Sequence, residues 1–373
     1  MINISLEPTG FCNAKCYYCI NGQERVPYFK HGDFLSLDIH RKLFQDLDSF
    51  MDDFACSPTL DKNIYLRYCG VGEPTLHPDF IAMFEQGLNF PAVRQIAILS
   101  NGAKWDKDLV DRFIKASSLQ PHKPLELIFS LDTLNLHTQF KIKKLSNIEK
   151  IIEQLIYLID QKVNNQLNNI YIILQMIILN ENILEVNEFC DFWSEILTRR
   201  GFSPRVVYLP DYPKYFSENQ CFIWLKRCDG DRFTQHEYND LHTEALRQMG
   251  IYTLDAENHV VSDKTEYCIS RVNSNRKYPH ICSLLWYGVN VSTNADVSPC
   301  CSDVNFELKI GSLKENSLIE IYRSDAMRRL RYAHIHRNLQ DYPICMNCSI
   351  LYRGPLVSDD DVVEYLNIAE ATK

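Results

Sequence analysis

Asn3-Ile4-Ser5-Leu6-Glu7, continued by Pro8-Thr9-Gly10-Phe11 and then by Cys12-Asn13-Ala14-Lys15-Cys16-Tyr17-Tyr18-Cys19, sets a short β-like run directly against a tight loop with three cysteines. With 14 cysteines in 373 residues, a C-x3-C-x2-C spacing arises by chance only about 0.02 times per chain, so the spacing is informative. Three thiolates on one loop can hold three irons of a cubane and leave the fourth iron open to an exogenous ligand. The competing readings are a zinc site one ligand short, which would want a further Cys or His nearby, and buried thiols acting as small hydrophobes.

Working outward, the first two hundred residues alternate β-branched runs with segments of helical period, the pattern of a parallel sheet with crossover helices. Strands are expected at 3–7, 63–69, 95–100, 125–131, 169–178 and 204–209. Between them, Leu37, Phe44, Leu47 and Phe50, then Phe80, Phe84 and Leu88, make apolar helix faces, as do Ile148, Ile151, Leu155 and Ile159, and Val186, Phe189 and Trp193. Ser146 is a candidate N-cap and Gly201 a candidate C-cap for the last two of these helices. Six such units predict an α/β fold, a partial (β/α)6 TIM-like barrel over residues 1–210, with ligands at the C-terminal ends of the strands. The alternation stops after 210. Residues 211–279 read as a linker or substrate-related insertion, and their aromatics, among them Tyr212, Phe222 and Trp224, pack or shape a substrate site. Residues 280–355 read as a small α+β half-domain, with a strand-turn-strand at 288–299 and a helix at 317–332, and 356–373 as a C-terminal tail.

The C-x3-C-x-aromatic-C loop after a first strand resembles the radical S-adenosylmethionine (SAM) superfamily, and Gly70-Val71-Gly72-Glu73-Pro74 after the second strand strengthens the resemblance. The resemblance implies that Cys12, Cys16 and Cys19 hold a [4Fe-4S] cluster which chelates SAM, and that Gly70, Gly72, Glu73 and Pro74 present backbone groups to its methionyl amino group. It also implies cofactor contacts from Tyr18, from Ser100 and Asn101 after strand three, and from Ser130 and Asp132 near the SAM ribose. Gln175 and Tyr208, on strands five and six, are carried over for the carboxylate and adenine ends. Taken alone, the Gly-rich run is a turn without the third glycine of a dinucleotide fingerprint, and Ser130 and Asp132 are strand-end caps.

Cys282, Cys300 and the closing pair Cys345-Met346-Asn347-Cys348 form a second constellation. Four thiolates can complete the coordination of one cluster. The framing, with Val297-Ser298-Pro299-Cys300-Cys301 and Ile310-Gly311-Ser312-Leu313, resembles the SPASM family of auxiliary-cluster domains or its shorter Twitch form. Two departures matter: Ala295 stands where the family usually has glycine, and no cysteine follows Cys348. One auxiliary [4Fe-4S] cluster is therefore expected. The alternative is a four-cysteine zinc ribbon, which the C-x2-C of the last pair fits and the seventeen residues between Cys282 and Cys300 do not. Sequence leaves open whether Cys300 or Cys301 ligates; the family alignment favours Cys300.

Composition narrows the remaining classes. Lys and Arg total 39 against 48 Asp and Glu, a net charge of −9 with no basic stripe, so the chain is a poor ligand for nucleic acid. No apolar run approaches the roughly 18 residues of a membrane span, and the N-terminus lacks a signal-peptide pattern, so a cytoplasmic location is expected, where thiols stay reduced. Cys56, Cys69, Cys190, Cys221, Cys228 and Cys268 read as packing, with Cys228 and Cys268 the candidates for extra ligands.

The superfamily resemblance implies reductive cleavage of SAM to a 5'-deoxyadenosyl radical, abstraction of a hydrogen atom from a C–H bond, and an electron donor such as flavodoxin or ferredoxin. The expected reaction is oxidative modification of a ribosomal peptide. The alternatives are dehydrogenation or epimerisation of a sugar or aminocyclitol, and a non-catalytic iron-sulfur scaffold, against which the intact SAM motifs argue. The start of strand one at the N-terminus leads us to expect no leader-binding domain ahead of it, and the missing second auxiliary set makes sulfatase maturation a weaker reading.

Overall fold

The computed structural model describes residues 2–23, 34–54, 63–208, 221–228, 241, 244, 245, 247, 248, 259–262, 265–268, 281, 282, 284–346 and 348. Its main sheet begins with β1 (Ile2–Leu6), β2 (Ile64–Tyr68), β3 (Val93–Ser100), β4 (Leu125–Ser130) and β5 (Ile170–Ile178), each parallel to the next. Helices α1 (Leu37–Phe54), α2 (Phe80–Asn89), α3 (Lys107–Ser117), α4 (Leu136–Lys143), α5 (Ile148–Asn164) and α6 (Val186–Thr198) fill the crossovers. Every expected strand forms within two residues of its expected ends. α3 and α4 are helices that the apolar spacing did not bring out. The third expected helix starts one residue past Ser146, with Asn147 at its N-cap, and Gly201, at φ +82°, lies just past the end of α6.

The order of the last two barrel strands departs from expectation. β6 (Arg205–Tyr208) does not pair with β5; β7 (Phe222–Arg227) lies between them, parallel to both. Phe222, Ile223, Trp224 and Leu225 are almost fully buried, so this segment of the expected linker is a central strand. Its run is only six residues long and alternates poorly, because both faces are covered and no period-2 signal survives. A separate two-stranded antiparallel sheet, β8 (His259–Ser262) with β9 (Thr265–Cys268), lies with β9 beside β6 of the main sheet. The rest of 211–279, and the tail 356–373, lie outside the described residues.

Strand alternation sorts the two faces. On β2, Tyr68 turns outward, where its hydroxyl donates to the Met83 carbonyl of α2 at 2.6 Å and lies against His40 of α1. Tyr65 turns inward and donates to Glu126 of β4 at 2.7 Å, with Gln95 of β3 donating to the same carboxylate. The barrel interior is therefore polar, while the helix-facing side is an aromatic and aliphatic core centred on Phe84, Trp105, Phe113 and Phe129.

The C-terminal half-domain joins the same sheet. β10 (Gly288–Val291) runs parallel to β1, with Asn3 opposite Gly288, and carries antiparallel β11 (Asp296–Ser298), which pairs with β12 (Gly311–Ser312). The β10–β11 turn places Ala295 at φ +68°, fully buried. That is the left-handed conformation for which glycine is suited, and alanine holds it at a cost of about 1 kcal/mol. The expected single helix at 317–332 is broken in two after Tyr322. Ser317 forms a capping box with Glu320 at the start of α8 (Leu318–Tyr322), and Ser324 then caps a new helix, α9 (Asp325–Ile335). α7 (Leu284–Tyr287) and α10 (Pro343–Met346) flank the second set of cysteines. Among the described residues no helix is long and apolar enough to cross a membrane.

Candidate functional site

The three-cysteine loop leaves the C-terminal end of β1 and docks on the C-terminal end of α4: Lys15 N donates to Lys143 O at 2.7 Å and Tyr17 N to Ile142 O at 3.0 Å. Otherwise unpaired helix-end carbonyls thus hold a loop without secondary structure of its own. Lys144, at φ +56°, closes the helix.

Beneath the loop lies a buried polar knot. Asp132 follows β4 in a left-handed conformation, φ +69°, and has no exposed surface. Its Oδ2 accepts from Tyr18 at 2.6 Å and stands 3.1 Å from Lys143 Nζ; its Oδ1 accepts from Ile177 N at 2.9 Å. Asn182, also fully buried, donates to Asp132 O and Ile177 O. Sequence reading expected Asp132 to face a ribose diol, whereas its carboxylate is committed to Tyr18, Lys143 and a backbone amide. Tyr18 thereby becomes the strut between Asp132 and the cysteine loop. Ser130 Oγ accepts from Gln175 Nε2 at 3.2 Å, and its carbonyl takes a hydrogen bond from Lys143, so Ser130 and Gln175 do meet at the strand ends. Tyr208 ends β6 opposite Leu225.

A second knot ties the turns after β2 and β3. Glu73 is buried and caps the short helical turn Pro74–Leu76. Its Oε1 accepts from Thr75 N, Thr75 Oγ1 and Ser100 Oγ, and its Oε2 from Asn101 N at 2.7 Å. Ser100 Oγ also accepts from Trp105 Nε1 and Gly102 N, so both side chains bond to protein groups. Asn101 continues to the cysteine loop, donating to Asn13 Oδ1 at 2.7 Å and lying 3.8 Å from Cys12 Sγ.

Gly70 and Gly72 make close approaches to β1 and the loop that follows it. A Cβ on Gly70 would meet the Glu7 side chain at 2.7 Å, and one on Gly72 would lie 1.8 Å from Thr9 O and 2.8 Å from Phe11 O. The contact that forbids a side chain at Gly72 is thus with the chain just ahead of Cys12. Gly72→Val is therefore expected to lower iron at the first site together with SAM affinity; normal iron content with weakened SAM binding would overturn this account.

Glu7, at the inward end of β1, accepts from Val71 N at 2.9 Å, and burial raises its carboxyl to about 7. Between the ordinary value of 4.5 and about 7 the folded chain keeps a proton that the unfolded chain has released, so stability is fullest below pH 4.5 and falls as pH rises through 7. Glu7→Gln removes that fall: the variant is expected to be about 3 kcal/mol more stable than the unaltered chain at pH 8 and level with it near pH 4, by denaturant titration. Equal pH slopes would remove the assignment.

At the second centre Cys282 precedes α7, Cys300 follows β11, and Cys345 and Cys348 lie at α10. Burial pushes the thiols of Cys12, Cys16, Cys282 and Cys345 up to about 11, 12, 11 and 12, and raises that of Cys300 further. The Cys282 thiol lies within electrostatic reach of Cys300, Cys301, Cys345 and Cys348, Cys300 also of Cys301, and Cys345 also of Cys348. Cys12, Cys16, Cys282, Cys300 and Cys345, whose thiols resist ionisation, fit cationic iron clusters, which would supply the charge that deprotonates them. Among the described residues no three His, Cys, Asp or Glu side chains close to single-ion spacing, whereas a cubane spreads its thiolates over separate irons. Cys190, Cys221 and Cys228 are buried as packing residues. Cys56 and the side chain of Cys268 lie outside the described residues.

Lys143 and Asn182, which sequence reading missed, are central to the first knot. Nothing in their local pattern marks them: Lys143 ends a helix that sequence periodicity did not reveal, and Asn182 sits in the turn before α6.

A parallel partial barrel with three thiols after its first strand, a Gly-Glu-Pro turn after its second and a four-thiol half-domain on the same sheet defines an enzyme built around two iron-sulfur centres. The chain belongs to the radical SAM superfamily, whose family model matches residues 6–193, and residues 282–349 match the iron-sulfur cluster-binding domain SPASM. Its cofactors are accordingly SAM, a [4Fe-4S] cluster and auxiliary iron-sulfur. Among curated relatives it is similar to the GTP 3',8-cyclases of Mannheimia succiniciproducens, at 35% identity over 113 residues, and of Haemophilus influenzae, at 33% over 109. These matches take in 30% and 29% of this chain, and it spans only 29% and 28% of the length of those relatives. Among solved structures it resembles anSMEcpe with bound AdoMet, TM-score 0.54 at 13% identity over 99% of this chain and 95% of that one. The same enzyme with AdoMet and the Cp18Cys peptide gives 0.52 at 14%, covering 100% and 99%. At these identities the likeness concerns the fold.

Proposed function

We propose that this radical SAM enzyme oxidatively modifies a peptide, drawing electrons from a flavodoxin- or ferredoxin-like donor. In this reading Cys12, Cys16 and Cys19 hold the SAM-binding cluster, and Cys282, Cys300, Cys345 and Cys348 hold one auxiliary cluster. The observation that carries it is the unbroken sheet from β2 through β1 into β10 and antiparallel β11, which fixes the three-thiol loop at the C-terminal ends of β1 and β2 and the Cys300 loop towards the other end of the same strands. Cofactors bound there supply a 5'-deoxyadenosyl radical that takes hydrogen from an unactivated C–H bond. The chain's own part is positional: Asp132 and Lys143 fix Tyr18 and the loop, Glu73 locks two turns together, and the rigid sheet sets the span across which substrate lies. Four thiols leave no coordination position vacant, which suits an electron-transfer role better than direct substrate ligation. A solved enzyme of the same fold holds AdoMet and a peptide together, which supports the peptide reading.

The test is to incubate reduced protein with SAM and short peptides encoded beside its gene, and to count 5'-deoxyadenosine per product in D2O. A ratio near one, with product lighter by one pair of hydrogens and no deuterium at the reacting carbon, is expected. Deuterium at that carbon would mean epimerisation, and many turnovers on catalytic SAM would refute the oxidative reading.

A further inference from the structure

We propose that the inward faces of β1 and β2 form an oxyanion subsite, in which the Arg67 guanidinium holds a carboxylate or phosphate group of the substrate. The proposal rests on the reading above that substrate lies between the two cysteine centres.

Three buried polar atoms without a hydrogen-bond partner gather on these two strands: Ser5 Oγ, Glu7 Oε2 and Arg67 Nε. Ser5 and Arg67 stand opposite each other in register, and Glu7 lies two residues beyond Ser5 towards the strand ends. The Arg67 guanidinium lies 5.7 Å from the centre of the Tyr65 ring and reaches the thiol of Cys301, the residue after an auxiliary ligand candidate. The ionisable groups that act on it most strongly are the Cys69 and Cys301 thiols and the Tyr65 phenol, and the Glu7 carboxyl, which burial favours in its neutral form, lies beyond Cys69. At its register on β3 stands Ala97, whose small side chain leaves the guanidinium uncovered on that side.

Among the described residues, several other desolvated cations have oxygen acceptors, while Lys162 lies over the Phe202 ring. Lys143 faces Asp132, Lys123 donates to the Leu88 and Phe90 carbonyls, and Arg331 donates to Leu285 and Tyr322 carbonyls. Arg67 is partly exposed but its Nε is buried, and a desolvated guanidinium nitrogen is costly unless an anion completes its hydrogen bonds; the planar fork matches carboxylate and phosphate oxygens. Arg67 also sits one residue before the strand end that leads to the Gly-Glu-Pro turn, so an anion held there places the rest of its molecule towards the barrel mouth.

Cys301, which is exposed, provides a probe that does not depend on radical chemistry. Anaerobically iron-loaded protein is alkylated with anionic iodoacetate or neutral iodoacetamide, and the rate ratio at Cys301 is read by mass spectrometry. Any change in thiolate fraction cancels in this ratio. The ratio is expected to be about tenfold higher in the unaltered chain than in Arg67→Gln, with Arg67→Lys between them. Competition then separates the sources: protection by inorganic phosphate points to a phosphorylated substrate, protection by acetate to a carboxylate. Equal ratios in the unaltered chain and in both variants at matched iron content would overturn the proposal, as would protection by neither anion. Resistance of Cys301 to both reagents would overturn it too, because the thiol would then be a ligand turned away from Arg67. None of these readouts moves if the reaction proves to be epimerisation, so the two failures stay separate.

Discussion

Protein in which Cys12, Cys16 and Cys19 are all replaced by alanine is expected to retain about four irons where the intact chain binds about eight, and to release no 5'-deoxyadenosine from SAM. The two thiol sets belong to different parts of one sheet, the first on a loop after β1 and the second around α7, β11 and α10. Emptying the first loop removes no ligand of the second and no strand of the barrel. The loop's own anchors, backbone bonds from Lys15 and Tyr17 to the end of α4, do not involve sulfur, so the fold persists. Iron and sulfide analysis after anaerobic reconstitution, with chromatographic detection of 5'-deoxyadenosine, checks both halves. Loss of all iron would show that the sites are not independent, and zinc at Cys345 and Cys348 would replace the auxiliary cluster by a ribbon.

Asp132→Asn is expected to lower stability by about 3–5 kcal/mol, visible as a fall of several degrees or more in Tm. The Asp132 and Lys143 side chains are 0% and 2% exposed, so neutralising one leaves the other a buried charge without its counter-ion. The double variant Asp132→Asn with Lys143→Met removes both charges and should recover most of the loss. A single variant as stable as the unaltered chain, or a double variant with the summed loss of the two singles, would show that the pair is not coupled. Slower iron loading in the single variant is also expected, because Tyr18 loses a charge-assisted partner that positions the cysteine loop.

The parts of this molecule that could be read from its sequence are those governed by local rules. β1 to β6 declare themselves by β-branched runs, and Cys12, Cys16 and Cys19 by a spacing that chance rarely makes. The position of β7 was illegible because strand order depends on long-range pairing, and a strand covered on both faces carries no alternation. The fate of Asp132 was illegible for a related reason. A carboxylate after a strand reads the same whether it faces a ligand or a lysine thirteen residues further from Ser130, and only the packing of α4 brings Lys143 beneath the loop. Ala295 is the converse case. Its departure from the usual glycine was visible in the sequence, and the structure shows the turn keeping its left-handed form with alanine in place.

The pairing of Asn3 with Gly288 bears on how the chain is made. A ribosome delivers β1 long before its second neighbour, β10, so until β10 emerges one edge of β1 has open hydrogen-bonding groups. During that interval the three-cysteine loop and the end of α4 that anchors it have already emerged, whereas the four-thiol set has not. Iron-sulfur delivery can therefore proceed in the order of synthesis, the first loop being filled before the second site has emerged. Interruption of translation between the two would leave a species with an exposed strand edge, prone to pair with copies of itself.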